Sequence, residues 1–109
     1  MPTLYGLKAC DTCRKVAKAL EKAGKEVTFR DVRADPLPRA TWEMFHRVFG
    51  DALLNTRSTT WRGLTDQERR LPVLQLLADH PALMKRPVIE DGDGLTLGWN
   101  DEVQGRHLG

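Results

Sequence analysis

Cys10-Asp11-Thr12-Cys13 is the stretch of this chain best suited to covalent chemistry. It lies between a short apolar run, Thr3-Leu4-Tyr5-Gly6-Leu7, and a segment where Cys13, Val16, Ala17 and Leu20 recur at helical spacing. A thiol at a strand-to-helix turn meets the unpaired amides and the positive end of the helix, which stabilise its anion and lower its pKa. Cys10, at the helix start, is therefore the expected attacking thiol. Cys13, one turn further on, shares the face of Val16, Ala17 and Leu20 and should be the more buried. It either resolves a mixed disulfide from below or serves as a small core residue, a common use of free cysteine. Lys8, Arg14 and Lys15 are expected to favour the Cys10 anion, and Asp11 to oppose it.

These two are all the cysteines in 109 residues, a usage that fits redox chemistry in the cytosol better than a secreted disulfide framework. A zinc site takes about four ligands. With no second cysteine pair, and with His46, His80 and His107 scattered singly, no metal is expected and the histidines read as surface or helix-end residues. The net charge of +2 is too small to argue for nucleic acid. No apolar stretch approaches the ~20 residues that cross a bilayer, and no signal-peptide core is visible. A cytoplasmic protein is expected.

The elements that must position the thiols follow from pattern. The first helix should run from about Asp11 to Ala23 and stop at Gly24. Glu26 to Val32 reads as a second strand, so the chain opens on a βαβ unit with parallel strands. After Asp35-Pro36-Leu37-Pro38, a helix from Arg39 should bury Trp42, Phe45 and Phe49 and close at Gly50. Ala52-Leu53-Leu54 reads as a short turn and Asn55 to Arg62 as a polar loop. Thr65 and Glu68 match a capping box, and Pro72 predicts a kink or restart before Leu74, Leu77 and Ala78. Pro87 to Glu90 and Leu95 to Leu97 flank Asp91-Gly92-Asp93-Gly94, a hairpin signal, and a short helix follows from about Asp101 to His107. The order is that of an α/β, thioredoxin-like fold. A helical insertion at about 36–83 separates the N-terminal βαβ from the C-terminal ββα, in a single domain over 1–109.

Three blocks then bear on family: Leu4 to Thr12, Leu53 to Arg62, and Met84-Lys85-Arg86-Pro87-Val88. In this order and spacing the chain resembles the arsenate reductase/Spx (ArsC-like) family, and within it the YffB branch, described as glutathione-dependent thiol reductases. The resemblance implies that Pro87 is the cis-proline facing the active cysteine. It also implies that Arg86, at the arginine-proline position, and Arg57, in the Thr-Arg-Ser loop, hold an anionic substrate or glutathione. A guanidinium suits both tasks, because it stays charged, forks onto carboxylates and oxyanions, and depresses a neighbouring thiol pKa.

The chain departs from the arsenate reductases at two places. Asn55 stands where they carry an arginine, and Leu97-Gly98-Trp99-Asn100 lacks their third one. A site short of a positive donor should bind arsenate poorly. The expected function is thus a thiol-disulfide reductase with no bound cofactor and glutathione as co-substrate. The alternatives are an Spx-like redox switch docking on RNA polymerase, against which the early end at Gly109 counts, and an arsenate reductase.

Overall fold

A computed structural model describes residues 1–92 and 94–108. In chain order the elements are β1 (Thr3–Gly6), α1 (Asp11–Lys22), β2 (Thr28–Asp31), α2 (Arg39–Phe49), a 3-10 turn (Gly50–Leu53), α3 (Thr59–Arg62), α4 (Asp66–Arg69), α5 (Val73–Asp79), a second 3-10 turn (Pro81–Leu83), β3 (Val88–Asp91), β4 (Gly94–Leu97) and α6 (Asp101–Leu108). They fall into two units, Met1–Asp31 with Arg86–Gly109, and Val32–Lys85.

The first unit holds a four-stranded sheet in the order β2-β1-β3-β4, with β1 parallel to β2 and antiparallel to β3, and β3 antiparallel to β4. Register places Phe29, Leu4, Ile89 and Thr96 in one row across the four strands, so their side chains share a face. Cys13, Val16, Ala17 and Leu20 of α1 close over that face, with Val27 and Trp99 at the margin. A βαβ half and a ββα half joined along β1 and β3 make this a thioredoxin-like α/β fold.

Helix α1 stops as its sequence predicts. Gly24 takes φ +86°, its amide donates to Glu21 O at 2.9 Å, and the Lys25 amide reaches Leu20 O at 3.1 Å. That pair of reversed bonds satisfies the last carbonyls of the helix. Strand β2 is shorter than its pattern suggested, and the hairpin residue Asp93 lies outside the described residues.

His107 departs from expectation. It stands near the end of α6, but it is buried, with Nε2 2.8 Å from Thr96 Oγ1 and the ring stacked on Trp99 at 6.2 Å. Sequence gave no sign of this, because it takes the return of α6 onto the Thr96 face to cover the ring. Burial lowers the His107 pKa, helped by the charges of Lys25 and Arg106 and opposed by Asp91. A neutral imidazole is therefore the folded form. The unfolded chain binds a proton that the folded chain refuses, so this stabilisation is complete above the ordinary histidine range and fades as pH falls below it. The denaturation midpoint should drop between pH 7.5 and 5.5, and His107→Gln should flatten that slope.

The second unit, Val32–Lys85, is helical. Trp42 and Phe45 of α2 are buried edge-to-face at 6.2 Å, and Leu76 and Leu77 of α5 are buried with them in the apolar interior. Phe49, expected in the core, is half-buried, because α2 ends there and Gly50 turns the chain away at φ +61°. The loop read over Asn55 to Arg62 contains a helical turn, α3. Ser58 Oγ accepts the Trp61 amide at 3.1 Å, while Arg69 donates to the Trp61 and Arg62 carbonyls and lies 5.6 Å over the Trp61 ring. Capping at both ends holds a turn too short to stand alone.

At α4 the capping box is present. Thr65 Oγ1 accepts the Glu68 amide at 3.1 Å, and Glu68 Oε1 accepts the Thr65 amide at 3.0 Å. Pro72 separates α4 from α5 and stands at the N-cap of the latter. Thr65→Ala should cost about 1 kcal/mol, measured as a lower denaturation midpoint.

Candidate redox site

The site is assembled where β1 hands over to α1. Cys10 closes a turn by donating its amide to Leu7 O at 3.0 Å, and its own carbonyl accepts the first helical bond from the Arg14 amide at 3.1 Å. The Lys8 amide is held by Asp31 Oδ2 at 2.9 Å, which ties the loop to the end of β2. Cys10 thus occupies the N-cap of α1 with extended backbone, half-buried, with its thiol free.

The sulfur makes no regular capping bond, yet the amides of Thr12 and Cys13 point at it as donors to the thiolate. Partial burial raises the Cys10 pKa. The Cys13 amide, the Cys13 thiol, the Arg86 charge and the Thr12 amide outweigh it, and the net shift is downward. Cys13 behaves oppositely. It is fully buried beneath Cys10, and burial together with the negative charge of Cys10 pushes its thiol up to about 11, against the help of the Leu7 backbone and Arg86. One thiol is set to ionise and its neighbour to stay protonated.

The structure therefore brings Cys10, Cys13 and Arg86 into one electrostatic group. Arg86 is half-buried and joined to the buried Pro87 by a cis peptide bond; the Pro87 carbonyl accepts the Gly98 amide at 2.8 Å. Lys8 and Arg14 stand differently. Arg14 donates to Lys8 O at 3.1 Å and pairs with the Asp11 carboxylate, and the cation whose field reaches Cys10 is Arg86. Arg57 belongs to the helical unit, exposed on the loop that follows the Leu54–Met84 bridge. Among the described residues no cluster of three or more His, Cys, Asp or Glu side chains could hold a metal ion, and no helix is long and apolar enough to cross a membrane.

Sequence reading missed two residues of the site. Asp31 anchors the loop by a contact across the sheet, which no local pattern reveals. Gly6 faces Cys13 so closely that a Cβ there would collide with the sulfur. A glycine ending an apolar strand was the available sign, since glycine inside a strand often marks a close approach.

Comparisons with known proteins cover nearly the whole chain. The chain is 40% identical over 108 residues to an uncharacterized protein of Haemophilus influenzae, covering 94% of each. It is 30% identical to the global transcriptional regulator Spx 1 of Bacillus cereus, covering 99% of this chain and 87% of that one. Among solved structures it superposes on a YFFB protein with a TM-score of 0.90 at 27% identity, covering the whole of both chains. The pattern of the ArsC family runs through residues 5–106, from β1 into α6, and the chain belongs to that family.

Proposed function

We propose that the protein is a cytoplasmic thiol-disulfide reductase that draws its electrons from glutathione. The observation that carries this reading is the opposed pair of thiols at the start of α1, with Cys10 lowered and Cys13 raised. A nucleophile and a resolving thiol need that division of labour.

In this scheme the Cys10 thiolate attacks the glutathionyl sulfur of a mixed disulfide. The old S–S bond breaks, the substrate thiolate leaves and takes a proton from solvent, and Cys10 carries the glutathionyl group. A second glutathione thiolate then attacks that group, releasing oxidised glutathione and restoring Cys10. By the other branch, Cys13 gives up its proton and attacks Cys10, expelling glutathione and leaving a Cys10–Cys13 disulfide for two further glutathiones to reduce. Burial is the main cause that holds the proton on Cys13, and the charge of Cys10 adds to it. Glutathionylation of Cys10 removes that second contribution and so eases the attack by Cys13. Arg86 steadies the anions throughout, and Arg57 is assigned to the carboxylate-bearing ligand.

A glutathione-coupled assay tests this, with a glutathione–cysteine mixed disulfide and arsenate run in parallel. Turnover of the mixed disulfide, absent in Cys10→Ser, is the expected result. Turnover of arsenate alone would make the protein an arsenate reductase despite Asn55. Inactivity on both would favour a second reading, a redox-switched regulator of RNA polymerase, for which the similarity to Spx 1 along 99% of this chain speaks. Polymerase retained by one redox state of the protein and not the other would establish that reading.

A further inference from the structure

Charge is spread unevenly along this chain. Residues 8–25 hold six cations and two carboxylates, a net +4 where the whole protein carries +2, so the remainder is net negative by two. Within α1 the pattern is sharper. Cys13, Val16, Ala17 and Leu20 turn inward onto the sheet, while Lys15, Lys18 and Lys22 recur at i, i+3, i+7 on the opposite face. All three lysines are exposed, and among the described residues none has a hydrogen-bond or ion-pair partner. Asp11, the carboxylate at the head of that face, is occupied by Arg14.

Beside this strip lies an open cleft of about 280 Å³, lined by Lys8, Arg14, Ala17, Lys18, Glu21 and Phe29. Its floor is apolar. Ala17 is buried there, and Phe29, in the sheet row that faces α1, is half-buried. Lys8 and Arg14 also bracket the nucleophile, since the Arg14 amide donates to Cys10 O and its guanidinium to Lys8 O. Strip and cleft both start from the Cys10 end of α1, and both belong to the sheet unit. From Cys10 to Lys22 the helix axis rises about 18 Å, the reach of an extended segment of about six residues.

Resting on the thiol-disulfide reading above, we propose that the outer face of α1 docks the protein substrate of this reaction. The occupant is an acidic segment beside the substrate's disulfide cysteine. It lies along Lys15, Lys18 and Lys22 and seats an apolar side chain over Phe29. A nucleic-acid backbone would engage the lysines but has no use for an apolar floor, and Glu21 on the cleft wall would repel its phosphates. A polypeptide uses both features. Exposed pairs of this kind are individually weak, but together they steer encounter and select partners by charge. Docking of this sort stabilises ground and transition states alike, so it acts on KM and not on kcat.

A six-residue peptide of S-methylcysteine, leucine and four glutamates cannot react and serves as the binding probe, followed by fluorescence anisotropy. Its counterpart with four glutamines is the control. Wild type should bind the glutamate peptide at least about tenfold more tightly at low salt, the combined weight of three exposed ion pairs. Replacing all three lysines (Lys15→Gln, Lys18→Gln, Lys22→Gln) should erase most of that preference, and glutamine keeps the helix propensity of lysine. The charge-matched triple Arg47→Gln, Arg70→Gln, Arg106→Gln, at exposed cations elsewhere, should retain it. Serine in place of the peptide's leucine should weaken binding several-fold. When the cysteine of each peptide instead carries glutathione in a disulfide, the glutamates should lower KM and leave kcat unchanged. Equal binding of the two peptides, or equal losses in the two triples, would overturn the docking surface. Displacement of the glutamate peptide by a lower concentration of a single-stranded oligonucleotide of equal charge would overturn it too, making the strip a nucleic-acid contact. Equal turnover of both peptide disulfides would remove the docking surface and leave the reductase reading standing. Binding in the expected pattern with no turnover of either disulfide would overturn the reductase reading and keep the acidic docking surface.

Discussion

Serine at position 10 should lower glutathione-dependent disulfide turnover by more than about a thousandfold, the scale of loss when a covalent nucleophile is removed. The substitution exchanges one atom at a half-buried N-cap, and serine is itself a good cap, so the fold should survive it. What disappears is an ionisable sulfur in a field built to ionise it. That field gives a second readout. Because the Cys10 pKa lies below the ordinary thiol range, its alkylation rate should reach its plateau at lower pH than that of free cysteine. Below the inflection it should fall tenfold per pH unit. Cys13, buried and with its pKa at about 11, should stay unmodified over the same range, and mass spectrometry after timed alkylation separates the two sites. Arg86→Gln should move the Cys10 inflection upward. Arg14→Gln should move it less, since that guanidinium is already engaged by Asp11 and the Lys8 carbonyl. An inflection at the ordinary thiol value, unmoved by Arg86→Gln, would mean that the amides and the arginine do not act on Cys10 as described.

The contrast between Arg86 and Arg14 marks where sequence reading stops. Elements written by local rules were legible: the Gly24 stop, the Thr65–Glu68 box and the hairpin each depend on residues within a few positions of one another, and the βαβ opening follows from the order of three locally patterned segments. The thiol pair was legible for the same reason, because N-cap and first-turn positions follow from the helix boundary. Charges near Cys10 were not ranked correctly by proximity in sequence. Arg14 is four residues away but turns back onto Asp11, while Arg86 arrives through the β1–β3 pairing from the far end of the chain. His107 and Asp31 failed for the same physical reason. Both are defined by what a distant element brings against them, Thr96 and Trp99 in one case and the Lys8 amide in the other. Helix α3 was missed because its last carbonyls are satisfied by Arg69, which belongs to the next helix.

Gly6→Ala should lose about 1–3 kcal/mol of stability, the usual cost of overpacking a tight interior, and lower the melting temperature by on the order of 10 °C. Leu4 and Gly6, two residues apart on β1, face α1 on the same side of the sheet. A Cβ at position 6 would strike Cys13 Sγ and crowd Cys13 Cβ at 3.2 Å and Leu4 Cδ2 at 3.3 Å. Cys13 and Leu4 are both fully buried, so neither can swing into solvent, and relief requires α1 to lift from β1. The clash is mainly with the sulfur, which makes it testable as a pair. Cys13→Ala alone should be modestly destabilising through the small cavity it leaves. In combination it should recover much of what Gly6→Ala loses, a coupling that a double-mutant cycle reads directly. Strict additivity would show that the two residues do not share this space. The coupling also explains why a strand tolerates glycine here at all. Glycine weakens a strand and contributes no packing of its own, so its place at the end of β1 is accounted for by what it admits, a fully buried thiol in the first turn of α1.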